Sequence, residues 1–278
     1  MKISIFKNTT AVLVAVMLSA CGGGSDEANQ QVTRVQARVL TYSRPAVIAV
    51  AGVFLRSGMV AETGLCANPV FNPVQSTPET AIFGCTVTAI GPQPLTIRGI
   101  NGKLLYTGTL TVPTPQVEVA TSAGNFTLEL DPVAAPITVD NFLTYANSGY
   151  YTGTLFHRVI AGFVAQGGGY TTGLERKSTQ FQPIPLESNK GLSNKRSSLA
   201  MARTSNPDSA TSEFYINLVD NPNLDYRSAT SPGYAVFGKV ITGLDVVDRI
   251  AALRTATVGG FPNVPTPDVT IQLVLQTQ

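Results

Sequence analysis

One histidine and three cysteines are the whole supply of soft or readily titrating ligands in this 278-residue chain. His157 could be imagined as the base of a Ser–His–Asp hydrolase, but no Gly-x-Ser-x-Gly elbow occurs anywhere to supply the nucleophile. So few ligands argue against a dedicated zinc or iron–sulfur site, and no metal is expected. The run Gly167-Gly168-Gly169 suggests a phosphate cradle. It misses the Gly-x-Gly-x-x-Gly spacing and no Lys-Ser/Thr follows, so it reads as a turn where the backbone passes close to another strand. Lys190, Lys195 and Arg196 read as a solvated basic loop rather than an anion site. The usual nucleophiles, metals and cofactor motifs are therefore set aside.

Composition narrows the class further. With 44% hydrophobic and 13% charged residues, the chain is globular rather than disordered, and it is long enough for two domains with real cores. Lys plus Arg number 19 and Asp plus Glu 17, a formal net charge of +2. A protein that grips phosphate backbones carries a concentrated positive excess, so no nucleic-acid partner is expected.

The N-terminus reads as an address. Lys2 and Lys7 form a basic region ahead of the apolar run at residues 11–18, which is too short to remain as a membrane-spanning helix. Leu18-Ser19-Ala20-Cys21 resembles a bacterial lipobox, in which the cysteine is lipidated and becomes the first residue. Ordinary cleavage nearby, with Cys21 left as a free thiol, is the alternative. Residues 1–20 are then a lipoprotein signal peptide and residues 21–31 a flexible tether opening on three glycines. The mature chain is formally neutral, because the signal carries two lysines and no acid. Gly22 after the lipidated cysteine suits the periplasmic face of an outer membrane, where acyl chains rather than a helix hold the protein. Outside the reducing cytoplasm Cys66 and Cys85 are candidates for a disulfide, two buried thiols being the alternative.

The elements that must position any site are mostly strands. In residues 32–111, the segments 35–40, 46–50, 86–90 and 104–106 carry β-type patterns, and Gly and Pro punctuate the gaps at Gly91, Pro92 and Pro94 among others. They predict a small antiparallel β-sandwich, immunoglobulin-like, tied by Cys66 and Cys85. Spacer and docking module would look alike here. Residues 112–116 form a proline-rich linker. Residues 117–278 then predict a hairpin around residues 122–125 and a helix from Pro136 stopped at Gly149. Strands near 199–202, 213–218 and 235–241, a helix over 244–253 and a last strand at 269–275 follow. The expected fold is mainly β: a closed β-barrel with a helix across each mouth, preceded by the sandwich.

Three stretches carry a family pattern. The first is Phe156-His157-Arg158-Val159-Ile160-Ala161-Gly162-Phe163-Val164-Ala165-Gln166-Gly167-Gly168. The second runs Ser198-Leu199-Ala200-Met201-Ala202-Arg203 and on to Ser212-Glu213-Phe214-Tyr215-Ile216-Asn217. The third is Leu224-Asp225 followed by Gly233-Tyr234-Ala235-Val236-Phe237-Gly238. In order and spacing they resemble the cyclophilins, peptidyl-prolyl cis–trans isomerases, of the compact bacterial type, from about residue 116 to 276.

The chemistry such a family needs is spare. Rotation about an X-Pro bond is slow because amide resonance must be broken, at roughly 18–20 kcal/mol for peptide bonds generally. The enzyme has only to favour the twisted amide, whose nitrogen becomes pyramidal and basic, over either planar form. A fixed guanidinium can donate to that nitrogen and to the prolyl carbonyl and stays charged at any working pH. By resemblance that group is Arg158, with Gln166 positioning it. Phe163, Val164, Tyr215 and Leu224 would form the proline socket, with Tyr234 beside them and Phe214 packing behind. His157 would be a pocket-wall residue, and the backbone at Ala202 and Arg203 would pair with the residue before proline. No cofactor is implied, the partners are proline-containing polypeptides of the cell envelope, and a monomer is expected.

Four positions depart from the family pattern. Glu213 stands where Gln is usual, placing a carboxylate near Arg158 and diverting its hydrogen bonds. Tyr215 replaces Phe and brings a hydroxyl that needs a partner if buried. Val164 replaces Met and loosens the socket. Asn223 replaces an aromatic whose loss accompanies weak cyclosporin binding. The first two leave a second reading open: a catalytically weak barrel that binds proline segments as a chaperone or adaptor.

Overall fold

The computed structural model describes residues 29–278, so the signal, the lipobox and Cys21 lie outside the described residues. Two compact units divide between Pro113 and Thr114.

The first unit contains seven strands: β1 (Gln31–Arg38), β2 (Pro45–Val53), β3 (Val60–Thr63), β4 (Val70–Phe71), β5 (Thr80–Thr86), β6 (Gly91–Arg98) and β7 (Leu104–Val112). One antiparallel sheet has the order β1-β2-β5-β4 and the other β3-β6-β7. That is the strand order of a constant-type immunoglobulin sandwich. Its core is made by the inward positions of both sheets, among them Ile48, Val50, Phe83, Leu95 and Ile97. Cys66, in the connection from β3 to β4, is bonded to Cys85 on β5, which ties the segment crossing between the sheets to the first sheet.

Two expectations fail locally. Residues 86–90 mostly lie between strands, and the segment set aside for its prolines is the strand β6. The reason is positional. Strand β6 pairs with β7 along its whole length, but β3 covers only its residues 95–98. Pro94 O accepts from Gly64 N, so the ring nitrogen faces away from β7, beyond the last paired residue of β3. A proline there breaks no ladder. The expected tether also ends early: Gln30 is buried and donates through Nε2 to Phe54 O, and β1 starts at the next residue.

The second unit opens with the hairpin β8 (Gln116–Thr121) and β9 (Gly124–Leu130), so residues 113–115 form the connection from β7. Helix α1 (Pro136–Asn147) follows, then β10 (Arg158–Ile160), β11 (Val164–Gly167), β12 (Ser198–Met201), β13 (Phe214–Asn217), β14 (Val236–Thr242), α2 (Leu244–Ala251), β15 (Arg254–Val258), β16 (Phe261–Thr266) and β17 (Ile271–Gln276). Eight of these strands make one sheet, β10-β11-β13-β12-β14-β9-β8-β17, and β15-β16 form a separate hairpin. The sheet curls without full closure. Its edges β10 and β17 do not pair with each other, and residues 153–156 bridge the gap through Leu155 to Thr270 and Phe156 N to Val269 O.

The interior is aromatic. Phe142 of α1 packs on Tyr151, Phe214 and Phe237 at centroid separations of 5.3, 5.6 and 5.3 Å. Helix α1 buries Val139, Phe142, Leu143 and Ala146 and ends where Gly149 turns to φ +73°. Its N-terminus carries no local side-chain cap. Glu187, far along the chain, caps it instead, accepting from Ile137 N at 3.3 Å, Thr138 N at 2.8 Å and Thr138 Oγ1 at 2.7 Å. Helix α2 is one turn shorter than expected at most, and it buries Val246, Val247 and Ile250. Among the described residues no helix is long and apolar enough to cross a membrane.

Candidate active site

Strand register assembles the site. Arg158 lies opposite Gln166, Gln166 opposite Tyr215, Tyr215 opposite Ala200, and Ala200 opposite Val236. Residues directly opposite in a ladder share a face, so one row crosses five strands with its side chains on the same side. The next row, Val159, Ala165, Ile216 and Leu199, points the other way and is buried in the barrel interior. Alternation within β13 thus sends Phe214 and Ile216 inward and Tyr215 and Asn217 to the site.

A second apolar cluster forms on that outer face. Val164, Ala200, Tyr215 and Val236 are its buried members, and Phe163, Leu192, Ala202, Leu224 and Tyr234 pack against it. Beside it lies a cavity of about 220 Å³ lined by Arg158, Phe163, Val164, Gln166, Ala202, Arg203, Tyr215, Leu224 and Tyr234. Of the site residues named from the sequence, Glu213 among them as a substrate contact, the structure brings all the expected substrate contacts but two onto this lining. His157 and Glu213 stand behind Gln166.

The polar rim is held in fixed geometry. Arg158 Nη1 donates to Gln166 Oε1 at 3.2 Å, and its guanidinium carbon sits 5.9 Å from the Phe163 ring centre. Gln166 Nε2 donates in turn to Glu213 Oε2 at 3.0 Å, and His157 Nε2 approaches the same oxygen at 3.4 Å. The expected diversion of Arg158 by Glu213 does not occur, because the amide of Gln166 stands between them. Burial pushes the Glu213 carboxyl up, but hydrogen bonding and attraction from His157, the Gln166 amide and the charge of Arg176 outweigh it and hold the carboxyl below its ordinary value.

On the opposite rim Arg203 donates from Nε and Nη2 to Gly233 O at 3.0 and 2.8 Å and from Nη1 to Thr204 O at 2.8 Å. Its guanidinium lies over Tyr234, 4.6 Å from the ring centre. The Ala202 amide is already committed to Glu213 O at 2.9 Å, so it is not an open donor for a substrate rung.

The Tyr215 hydroxyl finds its partner beneath the floor, donating to Asn194 Oδ1 at 2.7 Å. Asn217 Nδ2 donates to the same atom, and Asp225 Oδ1 accepts from Asn194 N at 2.6 Å and Asn194 Nδ2 at 2.9 Å. Burial raises the phenol far above its ordinary pKa, which keeps it a donor. This network joins the pocket floor to the turn that carries Leu224. Sequence reading missed Asn194 and gave Asp225 no role beyond its place in the motif, because their partners are remote in the chain. Ala200 and Val236 were within reach of strand alternation.

Comparison with known proteins identifies the family. Residues 116–274 match the model of the family described as cyclophilin type peptidyl-prolyl cis-trans isomerase/CLD. Peptidyl-prolyl cis-trans isomerase A of Dickeya dadantii is 49% identical over 156 residues, 56% of this chain and 81% of that protein. A peptidyl-prolyl cis-trans isomerase of Acinetobacter baylyi is 53% identical over 155 residues, covering 56% and 81% respectively. Among solved structures, a cyclophilin type peptidyl-prolyl cis-trans isomerase of Cryptosporidium parvum superposes with a TM-score of 0.52 at 26% identity, over 60% of this chain and 99% of that one. With its apolar pocket, its single guanidinium–amide rung and these relatives, the chain belongs to the cyclophilin-type peptidyl-prolyl cis–trans isomerase family.

Proposed function

We propose that the second unit accelerates rotation about X-Pro bonds in polypeptides, with Arg158 as the catalytic residue. The observation that carries this reading is the Arg158–Gln166 rung at the rim of an apolar cavity. Proline enters the socket of Phe163, Val164, Tyr215 and Leu224. The guanidinium, with its remaining N–H groups open, donates to the prolyl nitrogen as it becomes pyramidal. That bond exists only in the twisted state, so it lowers the barrier rather than merely tightening binding. No bond is made or broken, and the chemistry requires no cofactor.

The weak-binder alternative rested on Glu213 and Tyr215. Glu213 leaves Arg158 free, and the Tyr215 hydroxyl points to Asn194 rather than into the cavity, so both features are compatible with turnover. Catalysed cis–trans exchange in a proline-containing peptide, measured by NMR with the full chain, tests the proposal. A rate equal to the uncatalysed one contradicts it.

We propose further that the protein acts on folding envelope proteins, lipid-anchored through Cys21, with the immunoglobulin-type sandwich as spacer or docking module. The disulfide between Cys66 and Cys85 supports an oxidising compartment. Mass measurement of the N-terminal peptide from membrane fractions checks the anchor: lipid-modified Cys21 is expected, and an unmodified cysteine contradicts it.

A further inference from the structure

Among the described residues Glu213 is the one carboxylate bonded to the Arg158–Gln166 pair, and the cavity lining leaves it out. We infer that Glu213 is a positioning residue that orients the Gln166 amide and, through it, the guanidinium of Arg158. This rests on the isomerase reading of the site.

A glutamine amide is nearly symmetric in shape, and its neighbours decide which end is oxygen. A carboxylate only accepts and a guanidinium only donates. Held between Glu213 at 3.0 Å and Arg158 at 3.2 Å, Gln166 satisfies both in a single orientation, with NH2 toward the acid and oxygen toward the arginine. A glutamine at 213 could present either end, and the pair would invert whenever Arg158 turned to substrate. The carboxylate removes that freedom and strengthens the hold with charge.

Two further features hold the carboxylate itself. His157, 5% exposed, approaches the same Oε2 from the other side, and its ring rests against Tyr170 at 4.6 Å between centres. Its Nδ1 has no hydrogen-bond partner among the described residues, so the contact to Glu213 is the polar anchor of the ring. Gly169 supplies the room. A Cβ there would stand 2.5 Å from Glu213 Cγ and 2.6 Å from Cδ. The last glycine of the triple-glycine run, which fits no phosphate cradle, is thus the slot against which the carboxylate lies.

The test compares the full chain with Glu213→Gln and Gly169→Ala by NMR exchange kinetics and by the side-chain amide signals of Gln166. Both variants are expected to lower kcat about tenfold, the worth of one hydrogen bond to a charged group, with KM unchanged within about twofold. Both should also shift or broaden the Gln166 amide pair. Gly169→Ala keeps every polar group of the chain but crowds the Glu213 side chain, so it reports displacement of the acid even where the charge change at 213 impairs folding. Unchanged or faster turnover in both variants, or Gln166 signals identical to the wild type, overturns the positioning role. A wild-type chain without catalysis instead overturns the isomerase reading itself.

Discussion

Arg158 and Gln166 face each other across one rung of an antiparallel pair, with Nη1 donating to Oε1 at 3.2 Å. The relationship ties Arg158 to the fold through backbone register. Sliding β10 by one residue would send Arg158 into the aromatic interior and leave Gln166 without its partner, so the aromatic core that fixes the register also fixes the place of Arg158.

Tyr215→Phe separates floor from catalysis. Losing the hydroxyl removes the bond to Asn194, and the expected cost is about 1 kcal/mol in urea unfolding. Turnover should stay within about twofold, because the hydroxyl points beneath the cavity. A much larger loss of rate would place it in the reaction.

Glu187→Ala removes the remote cap of α1. Three hydrogen bonds from the first turn of the helix converge on that buried carboxylate. Stability of the second unit is expected to fall by about 1–2 kcal/mol, read as a lower thermal midpoint. An unchanged midpoint would show that water replaces the acid.

Replacing Cys66 and Cys85 together by serine should act on the first unit alone. The disulfide closes a loop of 19 residues in sequence separation, for which the chain-entropy model gives about 3 kcal/mol. The sandwich should unfold at lower urea while exchange catalysis is retained. Loss of catalysis would couple the two units.

Acid should distinguish wild type from Glu213→Gln. The Glu213 carboxyl titrates below its ordinary value of 4.5, because contacts led by His157 overcome the upward push of burial. A lowered folded-state value means stability that is present above the unfolded value and lost as pH falls through the folded one. His157, Arg176 and Tyr150 are the titratable groups around it. Unfolding free energies at neutral pH and near pH 3 should therefore show a steeper acid loss in the wild type than in the variant. Parallel pH curves would contradict the contribution.

Legibility in the sequence followed the range of the interactions. The pocket row was readable because β10, β11 and β13 each carry family motifs with alternating side chains. The chain Arg158–Gln166–Glu213–His157 was only half readable: the residues stood out, but what lies between Glu213 and Arg158 depends on a pairing 47 residues apart. The same holds for Glu187, whose target lies about fifty residues upstream. Strand β6 was hidden for another reason, since Pro92 and Pro94 signal a break wherever both edges of a strand must pair. Here β3 stops pairing at Leu95, so on that edge neither proline has a ladder position to fill.

The most direct measurement is the exchange rate of one X-Pro peptide with wild type, Arg158→Ala and Arg158→Lys. Removing the donor should lower kcat/KM by about a hundredfold or more, with the folded spectrum retained, and lysine should restore only a fraction, because it offers a point charge without the planar fork. Wild-type turnover in a folded Arg158→Ala protein would contradict the account.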